Sequence, residues 1–227
     1  RGIYHQYLGR HDATETVIGH LAGSEGTYEL SGSVSDEWGY TREGEYRADR
    51  TIVGDAGAGH FIQTDGLHGS MDLIIGRSAG GVGDYRLSGG SLGTDNLILG
   101  QAGGSQGTFD FNGGELWAWN LILGDEAGSQ GVFNFNFPGG QFDVANLVVG
   151  RNGRGTFIYE GVDTVYTNPD MRIVIGEQAG SEGVFEQRSG HLHAYWGGQP
   201  LIVGEAGRGI YRQLNDTIHN RNETIIG

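Results

Sequence analysis

The sequence lacks cysteine, lysine and any long apolar run, and each absence removes a class of protein. Because no apolar run approaches 18 residues, no membrane insertion is predicted. With only three prolines and no Gly-X-Y period, a collagen helix is excluded. All 14 basic residues are arginine, against 28 acidic residues, and the formal charge of −14 disfavours nucleic acid as a partner. The absence of cysteine suits an oxidising environment, so we expect an extracellular or cell-surface location.

Glycine is the residue present in excess. It accounts for 45 of 227 residues, about one in five, whereas proteins average about 7%. Aromatic residues make up 10% of the chain and branched aliphatic residues are plentiful, which argues against a disordered glycine-rich linker. The chain is therefore expected to bury a core whose turns need glycine.

Aliphatic residues precede a glycine nine times, as in "NLILG" at 96–100 and again at 120–124. Successive marker glycines are separated by 35, 22, 24, 24, 26, 26, 28 and 23 residues. A second glycine follows each of the first eight by five or seven residues, and an aromatic residue stands two positions beyond it. A fixed period of this length is the signature of a repeat architecture. The marker glycines are Gly19, Gly54, Gly76, Gly100, Gly124, Gly150, Gly176, Gly204 and Gly227.

The apolar spacing inside each unit is two, which is typical of strands. In "GTFDFNGG", for example, Phe109 and Phe111 fall on one face of a strand. A propeller blade needs about 40 residues, more than one unit offers, so we favour stacked coils. The sequence predicts an all-β parallel β-solenoid (β-helix) of about nine coils of about 24 residues, with three short strands per coil. At a spacing of ~4.8 Å the rod would be roughly 40 Å long.

Three columns of side chains are predicted along this rod. Stacked coils place each aromatic ring on the ring below, which makes an interior aromatic stack. Asparagines four residues before the marker glycine would form a ladder of side-chain hydrogen bonds. The aromatic stack comprises Tyr4, Tyr28, Phe61, Tyr85, Phe109, Phe133, Phe157, Phe185 and Tyr211, and the asparagine ladder comprises Asn96, Asn120 and Asn146.

The third column is aliphatic and raises a question of direction. Both residues before each marker glycine are aliphatic, yet neighbours on a strand face opposite sides. Either one column faces outward as an apolar strip of interface size, or a kink turns both inward. An outward strip would be a lateral interface with another rod. Its members would be Val17, Ile52, Ile74, Ile98, Ile122, Val148, Val174, Ile202 and Ile225.

Units such as "LILGQAGGSQGTFDFNGGELWAWN" resemble the glycine-rich β-strand repeats of bacterial surface and secreted proteins. These include autotransporter-like passenger regions, adhesins and proteins with PEP-CTERM sorting signals. The resemblance covers nearly the whole chain and implies a β-solenoid at the cell surface. It implies no particular activity, because such repeats diverge freely.

The whole chain, 1–227, is predicted to form a single solenoid domain with a longer loop within 33–50. The tetrapeptide "RGIY" at 1–4 recurs at 208–211, and no cap is visible at either end. Solenoids normally cover their terminal strand edges. We therefore expect the rod either to continue in a longer chain or to stack end to end as a homopolymer.

No enzymatic site or cofactor is predicted, because no column of carboxylates persists along the rod. His191 and His193 alternate on one face without a third ligand, so solvated histidines are expected rather than a metal site. Trp117 and Trp119 point outward and are candidate sugar contacts. The sequence thus favours an extracellular structural protein that forms a rod or filament by self-association. The alternative is a surface adhesin or carbohydrate-binding stalk, which would also use Tyr195 and Trp196.

Overall fold

The computed structural model describes residues 1–35, 37–39, 41–136, 141–167, 171–194, 199–215, 217–221 and 223–227. Within these ranges every regular element is a β-strand, and the predicted parallel β-solenoid is confirmed. It makes about eight turns at a spacing of about 24 residues, close to the nine coils predicted. The strands are β1 (Gly2–Gln6), β2 (Gly9–Ile18), β3 (Glu25–Leu30), β4 (Ser33–Ser35), β5 (Thr41–Val53), β6 (Ala58–Gln63), β7 (Leu67–Ile75), β8 (Val82–Leu99), β9 (Gln106–Leu123), β10 (Gln130–Phe135), β11 (Gln141–Val149), β12 (Arg154–Thr167), β13 (Arg172–Ile175), β14 (Glu182–Ala194), β15 (Leu201–Val203), β16 (Arg208–Gln213), β17 (Ile218–Asn220) and β18 (Thr224–Ile226).

Each coil pairs with its neighbours in three stretches, as the central pair β8 and β9 shows. On β9, residues 106–111, 115–118 and 120–123 pair in parallel register with β8. The register slips at the bend between the first two stretches and skips one residue between the second and third. The three short strands predicted for each coil are therefore present, although they run on as one long strand in these two coils.

The core lies inside the coil and is filled by alternate side chains. On β9 the inward residues are at most 2% exposed, and they line a cluster that runs along the rod. Burying such a side chain contributes roughly 1.5–3 kcal/mol, but one coil alone covers only one side of it. Stability must therefore come from stacking neighbours. The inward residues of β9 are Phe109, Phe111, Leu116, Ala118, Leu121 and Leu123.

The marker glycine is required by the corner that it makes. Gly100 has a φ of +68°, a left-handed conformation that residues with a Cβ rarely adopt. A Cβ there would also lie 2.1 Å from the carbonyl oxygen of Gln130 on the next coil. The backbone ladder continues through the turn, where the amide of Gln101 donates to the Gly76 carbonyl at 2.8 Å. The repeated aliphatic-glycine motif is thus a strand that ends at a tight, stacked corner.

The longer loop predicted within 33–50 contains a β-hairpin. Strand β4 pairs antiparallel with the start of β5, with Ser33 opposite Glu43. From Gly44 onward β5 has rejoined the solenoid and pairs in parallel with β2. Between β4 and Gly44 the described residues include Trp38, which is 78% exposed.

Candidate functional site

The nine predicted aromatic residues form one continuous stack along the rod. Successive ring centroids lie 4.7–5.1 Å apart, and successive planes are inclined by 1–27°. This spacing matches the separation of the stacked strands. The stack is buried through its middle, whereas Tyr4 at one end is 50% exposed. It ties every level of the solenoid to the next.

A buried column that the sequence reasoning missed stands two residues beyond each ring. It holds either glutamine or an apolar or aromatic residue, and its identity tracks the ring on the following coil. Wherever the following ring is tyrosine the column holds glutamine, and wherever it is phenylalanine the column holds leucine, phenylalanine or tyrosine. The eight pairings along the described chain are Gln6–Tyr28, Leu30–Phe61, Gln63–Tyr85, Leu87–Phe109, Phe111–Phe133, Phe135–Phe157, Tyr159–Phe185 and Gln187–Tyr211.

Hydrogen bonding explains this pairing. The Tyr85 hydroxyl donates to Oε1 of Gln63 at 2.6 Å, and Nε2 of Gln63 donates to the carbonyls of Gly66 and Ser91 at 3.0 Å each. Gln63 is fully buried, so each of these polar groups would be costly without its partner. Burial also raises the pKa of Tyr85 well above its usual range, which keeps its hydroxyl a donor. The pairing of glutamine with a tyrosine on the following coil is visible when the repeats are aligned at the position two residues beyond each ring.

Replacing Gln187 with leucine is expected to lower the free energy of unfolding by about 1–3 kcal/mol, because the Tyr211 hydroxyl and the Gly190 carbonyl lose its amide. Adding Tyr211→Phe should recover about 1 kcal/mol, since leucine beneath phenylalanine is the native pairing of Leu87 with Phe109. Urea unfolding of both single variants and the double variant measures this coupling. Strictly additive losses would contradict the pairing.

The asparagines predicted as a ladder are bonded side chain to side chain. Nδ2 of Asn120 donates to Oδ1 of Asn96 at 2.8 Å, and Nδ2 of Asn146 donates to Oδ1 of Asn120 at 3.1 Å. The ladder extends further than predicted, because Asn96 donates to Asp72 at 2.8 Å and Asp72 pairs with Arg50 at 3.6 Å. Arg50 also pairs with Glu15 at 3.5 Å, so the column joins six consecutive coils along the outer surface.

The side chains of the outer aliphatic column lie on the side away from the core, as alternation along a strand requires, but most of them are not exposed. On β8, Leu97 and Leu99 belong to the core, and Ile98 between them lies on the opposite side. Among the nine members, all in the described chain, only Ile225 is exposed, at 42%. Of the two alternatives, the exposed apolar strip is therefore not found. Ile52, Ile74, Ile122, Val148 and Val174 are buried, and Val17, Ile98 and Ile202 are half-buried.

Flanking polar side chains cover this column. Around Ile74 and Ile98 the surface is lined by Arg50, Asp72 and Arg77. An arginine lays its methylene stem along apolar surface while its guanidinium remains in water. A lateral partner would have to displace these side chains, so we propose no lateral interface.

A neighbouring residue, Asp55, ties three successive turns together. Its carboxylate accepts hydrogen bonds from Arg77 at 2.8 Å, from Ser78 at 2.7 Å and from His20 at 2.9 Å. Burial alone would raise the pKa of Asp55, but the bonds from Arg77, Ser78 and His20 outweigh it and hold the pKa at about 2. The charge therefore persists at neutral pH, and we read this cluster as structural.

The two outward tryptophans are exposed, as the sequence predicted. Trp117 is 47% exposed and Trp119 is 57% exposed. They lie on β9, where Leu116 and Ala118 face the core. Tyr195 and Trp196, the other candidate sugar contacts, lie outside the described residues. Trp117 also borders the surface depression described below.

The histidines do not behave uniformly. His68 is only 2% exposed and lies between the hydroxyls of Tyr85 at 2.8 Å and Ser70 at 2.7 Å. Burial lowers the pKa of His68 to about 3, so the ring is neutral. The described part of the chain holds no cluster of three residues able to bind a metal. His191 and His193 are paired with Ile218 and Asn220 of β17 through their backbone register.

No model of a known protein family, no curated protein and no solved structure matches this chain. The described residues also include no helix long and apolar enough to cross a membrane. Function must therefore be argued from the solenoid itself. Its most distinctive groups are the stacked rings with their paired glutamines and the exposed tryptophans.

Proposed function

We propose that this chain is an extracellular structural protein whose solenoid stacks end to end with copies of itself to form a filament. One observation carries the proposal. The last coil presents Gln213, and the first coil presents Tyr4, so a copy placed in register would put a tyrosine beside a glutamine. Inside the rod, three of three buried glutamines of this column are paired with a tyrosine.

The two end surfaces match in several other ways. Because "RGIY" occurs at both ends, Gly209 would pair with Gly2 and Tyr211 would stack on Tyr4. Nε2 of Gln213 already donates to a carbonyl of its own coil, as Gln63 does inside the rod. Exposed apolar side chains at the two ends would be covered by the junction, which favours association. These are Ile3, Tyr4, Ile225 and Ile226.

The rim of such a junction carries like charges. In register, Arg1 would lie beside Arg208, and Glu15 beside Glu223. Arg1 and Arg208 are each paired with a glutamate on their own copy, at 3.2 and 2.8 Å, which reduces their repulsion. Added salt screens what remains, together with the net charge of −14. We therefore expect association to strengthen as ionic strength rises.

Sedimentation velocity and electron microscopy of the purified chain test this proposal. We expect rods in multiples of about 40 Å whose length grows with concentration. Gln213→Leu and Tyr4→Phe should each weaken association by roughly tenfold, because each leaves one buried partner unpaired. The double variant should regain most of this loss, since it recreates the interior pairing of leucine with phenylalanine.

Both substitutions lie on exposed end coils, so the melting temperature of the single rod should change little. Uniform rods of about 40 Å at every concentration would overturn the proposal. So would a double variant that associates no better than the two single variants.

The resemblance to glycine-rich bacterial surface repeats also supports an extracellular location for the proposed filament. A rod whose described residues hold no metal-binding cluster and whose sequence shows no persistent column of carboxylates fits a stalk, a fibre or a surface layer better than a catalyst. We therefore place the proposed filament outside the cell.

A further inference from the structure

Two glycines on the outer face of the solenoid have no structural reason to be glycine. Among the described glycines, all but three have a positive φ or an atom within 3.4 Å of an added Cβ. The exceptions are Gly2 at the start of β1, Gly69 on β7 and Gly93 on β8. At Gly93 a Cβ would meet nothing within 4 Å, and at Gly69 it would meet only the Arg47 side chain at 3.9 Å.

Glycine inside a strand weakens it, and where packing does not require it, it often marks a place where a ligand approaches closely. Gly69 and Gly93 are paired with each other, so two neighbouring levels both lack a side chain. The next level on one side carries Arg47, and the next on the other side carries Trp117. The gap between those two side chains spans three strand spacings, about 14 Å.

This gap, the glycine notch, is the floor of a large depression on the described surface. The depression has a volume of about 660 Å³, within the range of small-molecule sites. Leu67 and Met71, which are 40% and 57% exposed, flank the glycines, and the indole of Trp117 forms one wall. The notch thus offers an aromatic wall beside a flat backbone floor.

The charges around the notch select its ligand. Arg47 is paired with Glu45, so its charge is already balanced. Asp49 and Asp95 are exposed on the rim, and within the described chain neither forms an ion pair. Exposed carboxylates accept hydrogen bonds from hydroxyl groups and repel anions. An uncharged, hydroxyl-rich molecule with a flat apolar face fits these groups.

We propose that the glycine notch binds a neutral saccharide. One sugar ring lies over Gly69 and Gly93 with a face against the Trp117 indole, and its hydroxyls donate to Asp49 and Asp95. The proposal does not depend on end-to-end stacking, because the notch lies on the side of the rod within the first five coils. Trp119, on the next outward position of β9, does not border the depression.

The test is a binding titration of the full chain with neutral oligosaccharides of glucose, galactose, mannose and N-acetylglucosamine, followed by tryptophan fluorescence and calorimetry. Trp117→Ala should weaken binding by roughly tenfold or more through loss of the aromatic wall. Gly93→Val should abolish binding by filling the notch, while thermal unfolding shows an intact fold. Trp119→Ala is the matched control and should bind as the unmodified chain does. Oligosaccharides of uronic acids should not bind.

Any of the following results would overturn the proposal. Failure of every neutral oligosaccharide to bind at millimolar concentration would exclude the notch as a saccharide site. Binding that survives Gly93→Val, or that Trp119→Ala reduces as much as Trp117→Ala does, would place the contact elsewhere. Should Gly93→Val unfold the chain, Gly69→Val serves as the second notch-filling variant.

Discussion

Gly107→Ala is expected to destabilise the solenoid by more than about 3 kcal/mol, enough to prevent folding of a marginal domain. An added Cβ would lie 2.0 Å from the carbonyl oxygen of Ile75 and 2.6 Å from the amide nitrogen of Gly100. Both atoms belong to backbone, so neither can move without displacing a stacked corner. Thermal and urea unfolding of the purified variant measure the loss.

Gly93→Ala is the matched control, because it adds the same methyl group on a neighbouring strand where it meets no atom within 4 Å. Alanine there should stabilise the chain by roughly 0.5–1 kcal/mol, since it restricts the unfolded backbone. If Gly107→Ala unfolds at the same urea concentration as the unmodified chain, the corner is not packed as described.

The steric constraint on Gly107 repeats along the rod. The column that contains Gly107 is glycine at every level of the first strand, and an added Cβ would clash with backbone at eight of the nine. Its members are Gly2, Gly26, Gly59, Gly83, Gly107, Gly131, Gly155, Gly183 and Gly209. Gly2 alone has open space around it, because no coil precedes it in the structure.

The repeat made the fold predictable from sequence. Marker glycines and rings recur at one interval, and only stacked coils bring such distant residues together in register. The ring of Phe109 therefore had to lie near those of Tyr85 and Phe133, which the structure places at 4.9 and 5.0 Å. The asparagine ladder followed from the same spacing. Contacts between side chains that repeat on every coil can be predicted from the period alone, without the exact geometry of the coil.

Burial on the outer face was not predictable in the same way. Ile52 and Val174 lie outside the core cluster, as alternation along a strand requires, yet both are fully buried. The burial of His68 was not evident from its residue type, although Leu92 and Leu116 at the same position on the following levels are core residues. The glycine notch could not be recognised either, since glycines that corners require are identical in sequence to Gly69 and Gly93.

Acid is expected to destabilise the solenoid through His68, well before most carboxylates are protonated. The pKa of His68 is lowered by burial from 6.5 to about 3, so the folded state stays neutral while the unfolded chain takes up a proton below pH 6.5. This contribution to stability is complete above about pH 6.5 and is lost as pH falls toward 3. Each pH unit in that window costs up to about 1.4 kcal/mol, or roughly 4–5 kcal/mol in all.

Urea midpoints measured from pH 8 to pH 4.5 follow this effect, since Asp55, whose pKa is held at about 2, loses its contribution only at lower pH. The matched variant is His68→Leu, which places leucine where Leu92 and Leu116 stand on the next two coils. Its midpoint should change far less over this range, even if its stability at pH 8 differs. In the variant the Tyr85 hydroxyl still donates to Gln63, so this buried hydrogen bond is retained. Identical pH slopes in the two proteins would show that the buried imidazole takes up its proton without unfolding the chain.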